Sequence, residues 1–269
     1  MTKPLSFTQN MIVAIFVAAL CLIASTAHAA TLIPLSSIQS GDLVRGQSFS
    51  AVYYYGADGF RYVFPNDKIY FTWYQNFNTV KWMSDDNLSK IQIGGNVTYK
   101  PGVKMIKINS DPRVYAVSTK GLLREIGSEE VAKTLYGNTW NKKIDDLPDG
   151  FFGNYHIGGR IDLASMYSPM SEQKVASVND DKGLVAPTVI HITDAGYSTP
   201  TIHLPFGHAV RFINDGPSLH SATEWDHVWG SGTMQPGDTF SLYPAMKGTW
   251  TYFSIYDPKE KMTGTIIVE

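Results

Sequence analysis

This chain of 269 residues contains a single cysteine, Cys21. The residue lies inside an apolar run near the N-terminus, 11–24, which is followed by Ala27-His28-Ala29, an A-x-A cleavage sequence. This arrangement is typical of a signal peptide over 1–29, with cleavage before Ala30. If Cys21 is removed in this way, the mature chain can have no disulfide, no zinc–thiolate site and no cysteine nucleophile.

Long apolar runs are also lacking after that N-terminal stretch. A membrane span needs about 20 apolar residues, and the run 11–24 is itself shorter than that. We therefore expect an exported protein, periplasmic, cell-surface or secreted, with no membrane span after signal cleavage. An uncleaved N-terminal anchor is the alternative.

The chain has no excess of positive charge and carries none of the common enzyme signatures. Its 22 Lys and Arg residues against 24 Asp and Glu residues provide no basic patch for nucleic acid. The sequence has no G-x-S-x-G elbow, no H-E-x-x-H and no phosphate-binding glycine loop. We predict a non-enzymatic protein that does not bind nucleic acid.

What the chain has in abundance is aromatic residues, and residues 46–160 present the same plan twice. The first copy, about 50–95, has two β-rich runs around Gly56-Ala57-Asp58-Gly59, followed by Asn66 as a helix N-cap. The second copy, about 112–159, has Ser128 as N-cap, and each copy ends in Ile-Gly-Gly. This pattern predicts a tandem duplication of a hairpin-plus-helix unit, whose copies must pack together because one is too small to bury its apolar face.

The aromatic side chains of the first copy are candidates for binding. This segment resembles aromatic repeats of large exported bacterial proteins, which implies a location in the cell envelope and no known chemistry. Exposed aromatic rings could contact a glycan or an unknown envelope protein. Strand alternation would instead bury about half of them in the core. The residues concerned are Tyr53, Tyr54, Tyr55, Tyr62, Tyr70, Trp73, Tyr74 and Trp82.

Two polar stretches, 30–45 and 161–185, are predicted linkers. After the second, short β-rich runs separated by turn signals predict a β-sandwich over 186–269. Between the copies, a hairpin is also expected over Lys100-Pro101-Gly102. The predicted strands of the sandwich are 188–193, 201–204, 209–213, 221–225, 239–243, 249–255 and 263–268.

The end of the chain carries a specific motif. GTWTYF begins at Gly248, MTGTIIV begins at Met262, and NDGPSLH places His220 at an earlier strand end. Residues 186–269 thereby resemble the cupredoxins, the plastocyanin-like blue-copper family. The resemblance implies a Greek-key β-sandwich, so the predicted fold class is mainly β, with a duplicated β-rich module and short helices before the sandwich.

The same resemblance implies a copper site in which two ligands have been replaced. Ser254 stands at the family's cysteine position and Asp257 at its second histidine, which leaves His220, Asp257 and Met262 as candidate ligands. Blue copper requires a thiolate, so that site is excluded. We expect a degenerate site without a cofactor; the alternative is copper handling or electron transfer through the altered His/Asp/Met set.

Two less favoured arrangements also involve His220. A metal site unlike that of the family could combine His220, His227 and an acidic residue. A Ser-His-Asp arrangement could be drawn with Ser254, but no oxyanion donor can be identified for it. The interpretation we favour is an exported binding or scaffold protein.

Overall fold

The structure, a computed structural model, describes residues 31–269, which form one compact unit. The predicted signal peptide and Cys21 lie outside the described residues. None of the described helices has the length and apolar character needed to cross a membrane. The fold is mainly β with a few short helices, as the sequence predicts.

The first repeat forms a five-stranded sheet in the order β4-β1-β2-β3-β5. Two short helices, α1 (Asp67–Trp73) and α2 (Asp85–Ser89), accompany it. The N-cap of α1 is Asn66, whose side-chain oxygen accepts a hydrogen bond from the Ile69 N–H. The strands are β1 (Leu43–Arg45), β2 (Tyr53–Tyr55), β3 (Arg61–Val63), β4 (Val80–Trp82) and β5 (Ile93–Asn96).

The second repeat forms another five-stranded sheet, in the order β10-β8-β7-β6-β9. Helix α3 (Glu129–Tyr136) starts after its N-cap Ser128, and Gly137 lies at its C-cap. The strands are β6 (Met105–Ile108), β7 (Asp111–Ser118), β8 (Leu122–Glu125), β9 (Ile144–Leu147) and β10 (His156–Ile157).

The two sheets have the same topology. In each, the first three strands form antiparallel pairs, the fourth pairs parallel with the first, and the fifth pairs parallel with the third. They also share one hydrophobic core, to which the first sheet contributes Tyr54 and Tyr62 and the second contributes Tyr115 and Leu123. Neither sheet could exclude water from its apolar face alone.

The hairpin expected over Lys100-Pro101-Gly102 does not form. β5 ends at Asn96 and pairs with β3, whereas β6 pairs with β7 and β9 of the other sheet. The turn signal is genuine, but the chain uses it to pass from one sheet to the next.

The two segments predicted to be linkers are packed into the fold and are not extended connections. Within 30–45, β1 lies inside the first sheet, and Val44 is fully buried. Within 161–185, Val178 is also fully buried, and the Tyr167 hydroxyl donates a hydrogen bond to the Val117 carbonyl over 2.8 Å. The segment contains α4 (Pro169–Glu172) and α5 (Val178–Lys182). A few widely spaced apolar residues in a polar sequence leave no periodic pattern, which is why this packing was not predicted.

The C-terminal segment forms a sandwich of two four-stranded sheets, β12-β11-β14-β16 and β13-β18-β17-β15. Every one of the seven predicted runs contains a strand, and the two-residue strand β12 was not predicted. The strands are β11 (Thr188–Thr193), β12 (Gly196–Tyr197), β13 (Thr201–Leu204), β14 (Val210–Asn214), β15 (Thr223–Glu224), β16 (Thr239–Leu242), β17 (Gly248–Phe253) and β18 (Thr263–Val268).

Inward-facing side chains of both sheets fill the core of the sandwich. Phe212 on β14, Tyr252 on β17 and Ile266 on β18 are each fully buried. The rings of Phe212 and Tyr252 meet edge to face, with their centroids 5.1 Å apart. The alternating burial along β18 is the period-two pattern of a strand with one face on the core.

A buried carboxylate joins the first repeat to the sandwich. Asp58, in the turn between β2 and β3, accepts hydrogen bonds from the hydroxyls of Tyr62 and Tyr243 and from the Phe60 N–H. Burial, helped by the hydrogen bond to Asp58, raises the pKa of both tyrosine hydroxyls. The two hydroxyls therefore remain protonated donors at neutral pH.

Arg211 on β14 extends the same contact. Its guanidinium donates to the Gly59 carbonyl over 2.7 Å, to the Tyr55 hydroxyl over 3.3 Å and to the Ser241 hydroxyl over 3.0 Å. The Gln92 amide and the Ser241 backbone exchange two further hydrogen bonds. These polar groups fix the sandwich against the first repeat together with an apolar contact, the stacked rings of Phe60 and Tyr243, whose centroids are 5.5 Å apart.

Candidate functional site

The residues of the predicted copper site lie on two loops at one end of the sandwich. His220 lies between β14 and β15, while Ser254, Asp257 and Met262 lie between β17 and β18 or at their ends. Both loops follow strands that are locked into the sheets by regular pairing. The structure therefore places these residues at the same end of the sandwich.

His220 is buried, at 1% exposure, and both of its ring nitrogens face carboxylates. The distance from Nδ1 to Asp257 Oδ2 is 2.9 Å, and that from Nε2 to Asp194 Oδ1 is 3.0 Å. Asp194 lies in the turn between β11 and β12 and was not predicted as a site residue. The only sequence signal for Asp194 was that it is an acidic residue in a turn after a strand. Many surface turns contain such a residue, so the signal does not identify a site.

This Asp194–His220–Asp257 arrangement connects three loops. The two nitrogens of an imidazole point in different directions, so the two carboxylates occupy opposite edges of the ring. Both nitrogens are donors in the charged imidazolium, whereas the neutral ring has one donor and one acceptor. The arrangement therefore suits a histidine that stabilises loops by hydrogen bonding more than one that presents a free lone pair to a metal.

Ser254 is fully buried and holds the two main loops together. Its hydroxyl oxygen accepts a hydrogen bond from the Ser221 N–H over 3.1 Å, and the Ser221 hydroxyl accepts one from the Ile255 N–H over 3.0 Å. Among the residues that the structure describes, no hydrogen bond joins Ser254 to His220. The pair expected for a Ser-His-Asp arrangement is thus not assembled.

Met262 belongs to the core of the sandwich. Its side chain is fully buried in the cluster that contains Phe212 and Tyr252. Its backbone closes the loop, since its carbonyl accepts from the Ser254 N–H over 3.2 Å and its N–H donates to the Pro258 carbonyl over 3.0 Å. The thioether thus packs as an apolar group.

The arrangement of His220 with His227 is not assembled either. His227 lies in a turn with a φ of 60°, and its ring packs against Phe253 with a centroid distance of 6.2 Å. Across residues 31–269, no group of three His, Cys, Asp or Glu side chains is placed to hold a metal ion. The donor set in this arrangement does not fit copper, because His220 already engages two carboxylates and Met262 is in the core.

Of the eight predicted aromatic residues of the first repeat, three are buried in the core and five are half-buried. Tyr54 and Tyr70 are each only 1% exposed, and the Trp73 indole N–H donates to the Thr98 carbonyl over 2.9 Å. Phe77, which was not among the candidates, is 49% exposed and stacks on Tyr70 with a centroid distance of 4.4 Å.

A cavity of about 500 Å³ lies beside this pair of rings. Phe64, Tyr70, Phe77 and Phe151 supply apolar walls, and the polar residues that line it are Ser50, Asn66, Asp67 and Asn96. Apolar walls with a few polar groups in a cavity of this size are typical of small-ligand sites.

Comparisons with known proteins give a partial likeness. No protein-family model and no curated protein sequence matches this chain. A purple cupredoxin from Nitrosopumilus maritimus is similar at 20% identity and a TM-score of 0.29, over 30% of this chain and 99% of that protein. A reduced Cu(I) form of an amicyanin mutant is similar at 26% identity and a TM-score of 0.29, over 31% of this chain and 82% of that protein.

Proposed function

We propose that this chain is an exported, non-enzymatic binding or scaffold protein whose cupredoxin-like domain has a degenerate copper site. The observation that supports the degenerate site best is the placement of His220 between Asp194 and Asp257. The side chains at the family's ligand positions hold loops together or fill the core, so they serve the fold. Export is inferred from the N-terminal apolar run and Ala27-His28-Ala29, and the tandem duplication from the shared topology of the two five-stranded sheets.

The binding function is assigned to the aromatic cavity of the first repeat. Phe77 leaves about half of its ring accessible beside Tyr70, and the nearby Asn66 and Asn96 have amide groups. The apolar face of a sugar ring can pack on an aromatic ring while the amides bond its hydroxyls. The partner that fits this chemistry is an uncharged glycan of the cell envelope.

Removing the exposed ring should abolish most of this binding. We expect Phe77→Ala to weaken retention on insoluble peptidoglycan or on immobilised neutral glycans by about fivefold, which corresponds to the loss of about 1 kcal/mol of ring contact. The measurement is a binding isotherm by pull-down. Tyr54 and Trp73 are unsuitable targets because their replacement would disturb the core.

The matched control is Phe206→Ala. Phe206 is 51% exposed, close to the 49% of Phe77, but lies in the sandwich and does not line the cavity. The assignment would be contradicted if no glycan retained the wild-type protein. It would also be contradicted if Phe77→Ala and Phe206→Ala weakened glycan binding equally.

The alternative function is copper handling or electron transfer through His220, Asp257 and Met262. The observation in its favour is that His220 and Asp257, on separate loops, lie within 2.9 Å of each other. To bind copper, the His220 ring would have to release at least one carboxylate, and Met262 would have to leave the core. Both changes are unfavourable in free energy, whereas a metal site whose ligands were already in place would require neither.

Copper titration separates these functions. We expect the purified chain to show no stoichiometric binding of Cu(II) or Cu(I), because the donor set is engaged in hydrogen bonds and packing. The readouts are bound metal per chain, visible absorption and EPR. One tightly bound ion that is lost on His220→Ala would overturn the degenerate-site proposal and would establish the copper-binding alternative.

A further inference from the structure

A second cavity, of about 510 Å³, lies where the two repeats, helix α5 and the sandwich come together. Unlike the aromatic cavity, it is lined by two lysines, Lys120 from the second repeat and Lys182 from α5, together with His156. Tyr62 and Tyr243 also line this cavity. Its volume is in the range of about 300–1,000 Å³ that small-molecule sites occupy.

The Lys182 ammonium is half-buried and lacks a hydrogen-bonding partner. Within residues 31–269 it makes no ion pair and no hydrogen bond, and its Nζ lies 5.3 Å from the centroid of the Tyr62 ring. Burial lowers the pKa of Lys182. The charges of Asp181 and Asp58 raise the pKa of Lys182 but do not offset the effect of its burial. A buried ammonium group that has lost hydrating water and has no hydrogen-bond acceptor in the protein is stabilised by an anion that binds beside it.

Two carboxylates lie near the cavity, but neither lines it. Asp58 and Asp181 are buried, at 0% and 1% exposure. Asp58 already accepts from two tyrosine hydroxyls and a backbone N–H, and Asp181 accepts from the Lys120 N–H over 2.9 Å. A ligand inside the cavity therefore meets the lysines and not the carboxylates.

Lys120 adopts a backbone conformation that favours glycine. Its φ of 62° and ψ of 26° lie in the left-handed region, where a side chain other than that of glycine is strained. Only one other non-glycine residue of the described chain, His227, has a positive φ. The fold alone would favour glycine here, so the lysine side chain is attributed to a function.

We propose that this cavity binds a small organic anion, a molecule about the size of a monosaccharide that bears a carboxylate or phosphate group. The anion lies between the ammonium groups of Lys120 and Lys182, and the His156 imidazole is within the same wall. Charge-assisted hydrogen bonds from two lysines supply the affinity. This site is separate from the aromatic cavity and does not depend on it.

Calorimetric titration of the full-length Phe77→Ala variant, which lacks the exposed ring proposed to bind neutral sugars, with D-glucuronate, inorganic phosphate and D-glucose tests the proposal. We expect glucuronate or phosphate to bind, and the comparison between the two to identify the anionic group. We expect glucose to give no heat of binding. Lys182→Gln and Lys120→Gly should each weaken binding of the anion by about tenfold, the effect of losing one charge-assisted hydrogen bond.

Lys120→Gly also separates binding from folding, since relief of the left-handed strain should leave the melting temperature unchanged or higher. The control is Lys107→Gln, which removes a half-buried lysine that pairs with Asp146 and lies outside the cavity. The proposal is overturned if neither anion binds, if glucose binds as well as glucuronate, or if Lys182→Gln and Lys120→Gly bind the anion as the Lys107 variant does.

Discussion

Gly264→Ala is expected to destabilise the sandwich by about 3 kcal/mol, the upper part of the range for overpacking a core. Gly264 on β18 lies directly opposite Tyr252 on β17. A methyl group at Gly264 would be 2.3 Å from both Cζ and the hydroxyl oxygen of Tyr252. Tyr252 is fully buried among the aromatic rings of the core, so it has little room to move. Urea unfolding of the full chain measures the loss.

The control for this prediction is Gly230→Ala, in the same sandwich, where the nearest atom would be 3.5 Å from the added methyl. We expect its effect to stay within about 0.5 kcal/mol. In a Tyr252→Ala background the Gly264→Ala penalty should largely disappear, because the clashing ring is gone. Equal effects of the two glycine substitutions in the wild-type background would contradict the clash.

Asp58→Ala is expected to lower the free energy of unfolding by about 2 to 4 kcal/mol. Each hydrogen bond to a charged group contributes about 1.5–3 kcal/mol. Part of this loss is offset because the variant no longer buries a charged carboxylate. The substitution leaves the hydroxyls of Tyr62 and Tyr243 and the Phe60 N–H without their acceptor. Since Tyr243 belongs to the sandwich and Tyr62 to the first repeat, the loss also loosens the contact between them. Two separate unfolding transitions by calorimetry would be the signature of that loosening.

The control removes a carboxylate that is not buried. Asp86→Ala breaks an exposed ion pair with Lys90, in which the charged atoms are 3.6 Å apart. Exposed pairs contribute about 0–1 kcal/mol, so we expect little change. A loss for Asp58→Ala no larger than that for Asp86→Ala would show that the buried carboxylate does not stabilise the contact.

Local features of the fold could be predicted because each depends on a few neighbouring residues. Asn66 and Ser128 cap helices α1 and α3 as predicted, since an N-cap needs only a short polar side chain before an amphipathic turn. The strands of the sandwich were found because alternation and turn residues repeat at short range. Strand β1 was missed because Leu43–Arg45 is too short to show a period.

Contacts between distant segments could not be predicted in the same way. Asp58 occupies an ordinary hairpin turn in the sequence, and nothing near it indicates that Tyr243 of the sandwich will donate to it. Asp194 likewise lies in a surface-like turn, 26 residues before the His220 ring nitrogen that it faces. Such pairs depend on how the strands cross, which is decided by the packing of whole sheets.

The sequence by itself determined that residues 186–269 contain no cysteine. A thiolate ligand needs a cysteine, and the only one lies in the N-terminal apolar run, so blue copper is excluded without coordinates. What the remaining side chains do was decided by the tertiary structure alone. Asp194 lies within hydrogen-bonding distance of the second ring nitrogen of His220, Ser254 joins the two loops by a hydrogen bond, and Met262 packs in the core. The physical reason is that a buried polar group is stable only when its hydrogen bonds are made. A buried apolar group is stable only when it is closely packed.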